Sequence, residues 1–405
     1  MTDGVLIVIT TDAGADGEYC LGQIAQSYPV ALIAPHAPTW ELAHLSDHEI
    51  ADPLDLKDLR AAVARLAARH RIDGVLTRDE FLLVPAAHVA ADLGLPGNSS
   101  ATAVACRNKA VARAVWSAAG VPSAASERAS SLASAQDAAE NIGFPVVLKP
   151  VAHRDGLGVV KADNADELPA AYAYAARYAD GQGREGRGVL VEEYLSGPEV
   201  AVQCVTTRGV TTAVALARKA VGPQPRFSAL GFSVTADDPL LAEAGPLAQA
   251  ALDALGIANG ISHVQIAMTK RGPRLIDVNA RLGDDLVPHL VFEATGIDLP
   301  AAAAAIARGQ EPDLSPNWSR TTALSFPTAP RPGRLTRAQF HGDLTELPWL
   351  ERLVWLRQTG DDLGTQADDS PGDLRVCYLV VTGHDLGQCR QRITDATALL
   401  DIQIK

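Results

Sequence analysis

The stretch "GFPVVLKPVAHRDGLGV", residues 143–159, decides how the rest of the chain is read. An apolar run with strand character delivers a single lysine, Lys149, and then breaks into a loop holding Gly156 and Gly158. A lysine at the end of a buried strand loses its hydration unless something anionic meets it. Glycines just downstream let backbone N–H groups come close to a ligand, as phosphate oxygens require. The stretch predicts a phosphate-binding hairpin.

Upstream, strand and helix signals alternate as a parallel sheet demands. "VLIVIT" (5–10), "VALIAP" (30–35) and "DGVLTRDE" (73–80) read as strands, and "LKDLRAAVARLAARH" (56–70) as a helix. No GxGxxG follows the first strand, so this doubly wound unit reads as a structural α/β domain. "NKAVARAVWSAAGVPSA" (108–124) is a helix leading to the Lys149 strand. Downstream come an alanine-rich helix (165–179) and a glycine-rich turn (180–188). Next, "VLVEEYLSGPEVAVQCVTT" (189–207) reads as strand, hinge, strand, and "HVQIAMTKRGPRLIDVNARLG" (263–283) as a hairpin turning at "KRGP". A helix over 299–308 ends at Gly309, and a proline-rich stretch (315–333) marks a boundary before "RVCYLVVTG" and a final helix and strand.

Bulk properties narrow the function classes. The chain has 405 residues, too many for one ordinary core, with 47% hydrophobic and 20% charged residues. A net charge of −13 gives no electrostatic case for a nucleic-acid partner. No run approaches the roughly 20 apolar residues of a membrane span, and "MTDGVLIVIT" reads as a first strand rather than a signal peptide. The five cysteines form no CxxC pair, which points to neither zinc nor a disulfide framework and fits a cytoplasmic setting.

Four features fall in one order: Lys109 opening a helix; Lys149 with Gly156 and Gly158; Glu192, Glu193 and Leu195 with Glu199 just beyond; and Asp277, Asn279 and Arg281 alternating along a strand. Together with "LGLPGNSSATAVACRNKAVARAVWSAAGVPSA" and "PRLIDVNARLGDDLVPHL", this order resembles the ATP-grasp superfamily over nearly the whole chain. Within it the pattern is most similar to carboxylate–amine ligases of the L-amino-acid ligase type. The resemblance implies a doubly wound pre-ATP-grasp α/β domain (1–105), a small lobe with the glycine loop (106–190), a large lobe (191–312) and a small C-terminal α/β lobe (313–405). It also implies that Lys109 and Lys149 contact ATP phosphates and that the loop at Gly156 and Gly158 closes over them. Glu192, Glu193, Leu195 and Glu199 would frame adenine and ribose. The expected reaction activates a carboxylate as an acyl phosphate, and an amine then displaces phosphate to give an amide.

The physical chemistry of these residue types agrees. Two lysines reduce repulsion when ATP enters a partly dry cleft. Carboxylate and amide oxygens suit Mg²⁺, or Mn²⁺ in its place, bridging phosphate oxygens. Arg281 can neutralise a transferring phosphoryl group. Partners are then small-molecule carboxylate and amine substrates, and relatives of this kind often form homodimers.

The pattern is also broken in places. Relatives usually place one glutamate on each strand of the final hairpin; here the positions hold Gln265 and Asp277. The glycine loop carries His153, Arg154 and Asp155, and "RLGDD" puts Asp284 where a second glycine is usual. Such departures leave open a working ligase with adjusted metal geometry or a nucleotide-binding module without turnover. A bicarbonate-activating carboxylase ranks lower, because no biotin-carrier "AMKM" is present. His263 shares a strand face with Gln265 and is either a substrate ligand or a structural histidine. Arg218 and Lys219 either face the substrate or are solvated. Asp285, four residues after Arg281, corresponds by resemblance to the pocket of the acyl-donating amino acid. A carboxylate there would favour a polar or cationic donor.

Overall fold

The computed structural model describes residues 4–11, 15–153, 156–179, 187–222, 224–225, 227, 229–364 and 374–405. Arg154, Asp155 and most of the glycine-rich turn expected at 180–188 lie outside these residues. Strands β1 (Val5–Ile9), β2 (Val30–Ala34), β3 (Asp47–Ile50) and β4 (Ile72–Thr77) form a parallel sheet in the order β3-β2-β1-β4. Between them run α1 (Ala15–Ser27) and α2 (Leu56–Ala67), and α3 (Leu83–Asp92) follows β4. Both faces of the central strands are covered, which is why β1 and β2 are continuous apolar runs rather than alternating ones. β3, "DHEI", was not legible as a strand: it is a polar edge strand whose Asp47 and Glu49 pair with Arg69 and Arg65 of α2 and its extension.

Asn108 separates α4 (Ser100–Arg107) from α5 (Lys109–Ala118), and its side chain accepts a hydrogen bond from the Val111 amide at 3.1 Å. That cap starts a fresh helix with Lys109, Arg113 and Trp116 on one face. Trp116 is fully buried and its indole N–H donates to the Ala251 carbonyl at 3.1 Å, so the helix is anchored. The small antiparallel sheet, in the order β5-β8-β6-β7, contains β5 (Ser126–Ala129), β6 (Val146–Pro150), β7 (Val160–Ala162) and β8 (Val189–Glu193). Helices α6 (Leu132–Ile142) and α7 (Leu168–Arg177) pack on it through alanine-rich faces.

The largest sheet begins with β9 (Glu199–Thr207), β10 (Val210–Val221) and β11 (Ala229–Thr235), followed by α8 (Leu240–Leu255). It continues with β12 (Gly260–Thr269) and β13 (Gly272–Asn279), then α9 (Val287–Thr295) and α10 (Leu299–Ala307). Alternation along β9 explains the layering. Val200, Val202 and Cys204 pack with α8, whereas Ala201 and Val205 join the cluster of α9 and α10. Helix α10 also covers one face of the N-terminal sheet through Ala304 and Ala307, joining the two units. Among the described residues no single helix is long and apolar enough to cross a membrane.

The C-terminal segment divides. Strands β14 (Thr321–Ser325), β16 (Leu350–Trp355) and β18 (Cys377–Gly383) extend the large sheet, whose order is β13-β12-β9-β10-β11-β14-β18-β16. Strands β15 (Gly333–Phe340), β17 (Asp362–Leu363) and β19 (Leu400–Ile404) form a separate three-stranded sheet, and α11 (Leu386–Ala398) precedes β19. At the other end of the large sheet β13 is the outermost strand. The segment before β5 touches it there: Ser123 makes a parallel bridge to Leu275, whose amide donates to the Pro122 carbonyl at 3.1 Å.

Candidate active site

The small sheet, α5 and the large sheet enclose a cavity of about 460 Å³. Of the described residues singled out above, all line it except Gly158 and Arg218. Gly156 and Gly158 both adopt left-handed backbone conformations, φ 69° and 75°. At Gly158 a β-carbon would also meet the Pro150 ring at 2.7 Å, so this position requires glycine on two counts.

At one end lies a network of buried charges. Lys149 and Glu192 sit diagonally on neighbouring strands β6 and β8, and their side chains meet at 2.6 Å. The Glu192 carboxylate also accepts from Arg113 Nε at 2.7 Å, so on the cavity wall it is held by two cations. Lys109 Nζ lies 3.2 Å from Asp277 and donates to the His153 carbonyl at 3.0 Å. Burial by itself would raise the Glu192 and Asp277 carboxyls, but the surrounding lysines and Arg113 hold both below the usual range. Burial, aided by the nearby Arg113, lowers Lys149 below the usual lysine range. Buried ion pairs contribute little net stability, so a cluster of this density lining a cavity points to ligand chemistry.

A β-bulge builds the next part of the site. Gln265 pairs directly with Asp277 and Ile266 with Leu275, leaving Ile276 as the extra residue. Arg113 Nη2 and Lys149 Nζ donate to the Ile276 carbonyl, at 2.6 and 3.3 Å. The irregularity also shifts side-chain parity. Leu275 and Val278 enter the core, while Ile276, Asp277 and Asn279 all face the cavity. Gln265, Asp277 and Asn279 thus present oxygen donors from adjacent strands, a set that fits Mg²⁺ only in part. Among the described residues no three metal-binding His, Cys, Asp or Glu side chains gather, so phosphate oxygens would have to complete the shell.

At the far end Arg281 is buried and fully engaged. Its Nε donates to Glu80 at 2.9 Å, and Nη1 and Nη2 grip the Asp284 carboxylate at 2.7 Å each. A further bond runs from Nη1 to the Leu282 carbonyl. Burial alone would lower Arg281, but Asp284 and Glu80 outweigh it and hold the guanidinium above its usual range. Asp285, in a left-handed conformation with φ 52°, accepts from Arg375 at 2.8 Å. His263 is buried against Gln203, 3.0 Å from its amide nitrogen, and burial pushes it down to about 4. Gly283 passes so close that a β-carbon there would lie 2.7 Å from the imidazole.

The hinge charges line the cavity but are engaged by partners of their own: Glu193 pairs with Arg271, and Glu199 with Lys219 at 2.8 Å. Strand alternation separates Arg218 from Lys219. Lys219 lines the cavity, whereas Arg218 forms a two-pronged pair with buried Asp238 at 2.6 and 2.8 Å. Glu80, Arg113, Arg375 and the Ile276 carbonyl escaped sequence reasoning. For Arg113 one signal existed, its position one helical turn after Lys109. For the others none existed, because each acts across a long separation in sequence.

Comparison with known proteins agrees with this architecture. The sequence profile of the carbamoyl-phosphate synthase L chain, ATP binding domain, matches residues 108–314, and that of the ATP-grasp N-terminal domain matches residues 33–97. The uncharacterized protein y4rH of Sinorhizobium fredii is 30% identical over 288 residues, 70% of this chain, although the match spans only 59% of that protein's length. A phosphoribosylamine–glycine ligase of Streptomyces coelicolor is 29% identical, covering 89% of this chain and 88% of its own. The crystal structure of an L-amino acid ligase from Bacillus licheniformis superposes with a TM-score of 0.82 at 20% identity, covering 100% of this chain and 99% of that one. Lysines on α5 and β6, a hinge after β8 and a bulged carboxylate strand thus stand on a shared framework, and the chain belongs to the ATP-grasp superfamily.

Proposed function

We propose that this protein is an ATP-dependent ligase that joins a carboxylate to an amine through an acyl phosphate. One observation supports it most: a single cavity holds lysines suited to phosphates, oxygen donors suited to a phosphate-bound cation, and an arginine at the opposite end. In this reading Lys109 and Lys149 meet the phosphates, Gly156 and Gly158 allow their loop to approach, and Leu195, with Glu193 and Glu199 nearby, borders the nucleoside. Glu192 acts through Lys149 and Arg113, which it positions. Mg²⁺, held by Asp277 and Asn279 with Gln265 opposite, would offset phosphate charge. The substrate carboxylate attacks the γ-phosphorus, ADP leaves, and the amine nitrogen then displaces phosphate from the acyl carbon. Arg281 faces the charge that builds on the acyl phosphate.

The substrates are small molecules, an amino acid or related carboxylate and an amine. The pairing of Asp285 with Arg375 reduces the charge that Asp285 offers a cationic side chain. We assign the reaction to the cytoplasm, where ATP is supplied, and expect a homodimer; a monomeric mass by light scattering would remove the latter. ADP release with MgATP and pooled amino-acid pairs, with Lys149→Ala as the control, tests the reaction. Release that requires both a carboxylate and an amine supports it, and ATP binding without release under every pair would sink it. The second reading, a nucleotide-binding module without turnover, is favoured by one observation: Gln265 offers no charge opposite Asp277. Recovery of ADP release in Gln265→Glu alone would support that reading.

A further inference from the structure

His153 is held through both its backbone and its ring. Its carbonyl accepts from Lys109 Nζ at 3.0 Å, and its imidazole meets two aromatic rings edge to face. Phe81 stands 6.4 Å away between ring centroids, at an interplanar angle of 88°, and Tyr178 stands 5.7 Å away at 80°. Both separations lie in the range where such pairs attract. The two partners belong to different parts of the molecule. Phe81 follows β4 of the N-terminal sheet, is buried, and donates its amide to Asp79 at 2.9 Å. Tyr178 ends α7 of the small lobe and also flanks Gly158, where a β-carbon would lie 3.0 Å from its ring. The Arg107 guanidinium packs over Phe81, 5.1 Å from the ring centre, and one residue, Asn108, separates it from Lys109. A closed circuit results. The break between α4 and α5 grips the N-terminal domain through Arg107 and the loop through Lys109, and the imidazole of the loop returns to Phe81.

On the reading that the lysine-lined end takes ATP phosphates, we propose that His153 is a positioning residue that ties the glycine loop to the N-terminal domain. Phe81, which is not among the residues lining the cavity, thereby helps to set the affinity for nucleotide phosphates. A loop that meets phosphate oxygens through its backbone gains affinity when its position is fixed beforehand, because the cost of ordering it no longer falls on binding. Two supports fix this loop. Tyr178 seats it from within the small lobe, at His153 and again at Gly158. Phe81 seats it from outside that lobe. The carbonyl contact to Lys109 would survive any side chain at position 153, but reaching Phe81 takes a ring. A small residue there would keep the first contact and lose the second. Glu80 precedes Phe81 on the same short turn and accepts from Arg281 at 2.9 Å, so one turn of the N-terminal domain bears on both ends of the cavity.

Calorimetric titration with Mg²⁺ and a non-hydrolysable ATP analogue, and separately with AMP, which lacks the distal phosphates, tests this. His153→Ala and Phe81→Leu should each weaken binding of the ATP analogue about three- to tenfold, the worth of an edge-to-face pair, and leave AMP binding unchanged. The double variant should bind about as well as His153→Ala alone, because both changes remove one shared contact. His153→Phe should match the wild type. It keeps the ring pairs and removes the ring nitrogens, which separates packing from direct contact with phosphate. Phe81→Met serves as a second variant should Phe81→Leu fold poorly. The proposal is overturned by wild-type affinity in the Phe81 variants, even at a lowered thermal midpoint, since that would make Phe81 structural only. Additive losses in the double variant, equal losses for AMP, or a loss in His153→Phe as large as in His153→Ala would overturn it as well. A wild type that binds no ATP analogue would remove the nucleotide reading together with this one.

Discussion

The two ends of the cavity solve the problem of buried charge differently. At the end lined by Lys109 and Lys149 the charges sit on rigid elements: α5 is anchored by Trp116, β6 and β8 lie inside a sheet, and the bulge on β13 supplies a fixed carbonyl. At the Arg281 end the charges sit beyond the end of β13, and Asp285 and Leu286 both adopt left-handed conformations. One region fixes its charged side chains on helix and sheet, whereas the other holds Asp284 against Arg281 on the turn that follows β13.

Removing Lys149 should have the largest effect. Lys149→Ala is expected to lower ATP-dependent ADP release about 10²–10³-fold, the cost of losing one oriented charge in a dry site. Turnover close to wild type would mean that the phosphates bind elsewhere. Arg113→Met should instead act on stability, by about 3 kcal/mol, because buried Glu192 loses one of its two cations. Urea denaturation measures this, and an unchanged midpoint would show that Lys149 alone satisfies the carboxylate.

Acid should weaken the fold through histidines outside the phosphate network. Burial depresses His263 and His289 to about 4 from an ordinary 6.5. The folded state therefore favours their neutral forms, and their contribution is complete above pH 6.5 and lost as pH falls towards 4. A drop from neutral pH to about 5 should cost about 2 kcal/mol for each. His289→Phe should remove roughly half of that loss, read as the difference in urea midpoint between the two pH values; an undiminished loss would exclude His289.

The glycine loop offers a smaller and internal comparison. Gly158→Ala should cost about 1–2 kcal/mol in backbone conformation, with the contact against Pro150 added to it. Gly156→Ala meets open space and pays only the conformational part. Equal stabilities in the two variants would show that the Pro150 contact yields. Gln265→Glu should have the mildest effect, lowering the Mg²⁺ concentration needed for half-maximal nucleotide-dependent stabilisation. No change would place the cation away from β12.

How much of this was legible depends on the range of the interactions. The helix opening at Lys109, the hairpin turn at 270–273 and the strand carrying Asp277 are local matters of propensity and alternation, and they read directly from the residues. β3 was hidden because an edge strand has no need of apolar residues. The bulge at Ile276 was hidden because the register is set by pairing with β12, not by the residues of β13 alone. Arg281 was legible as a candidate site residue, yet its partner Glu80 lies 201 residues away, and the docking of α10 and the N-terminal sheet brings the two together. Glu192 shows the reverse limit. Its place in the motif was readable, but its orientation towards Arg113 and Lys149 depends on where α5 packs.

The bridge from Ser123 to Leu275 has a mechanical consequence. It joins the peptide leading into the small sheet to the strand that carries Asp277. A swing of the small lobe would therefore pivot on the rim of the carboxylate strand, with the shortest lever arm at the oxygen donors and the longest at the glycine loop. Opening such a clamp would expose the lysine-lined end of the cavity most while displacing Asp277 and Asn279 least.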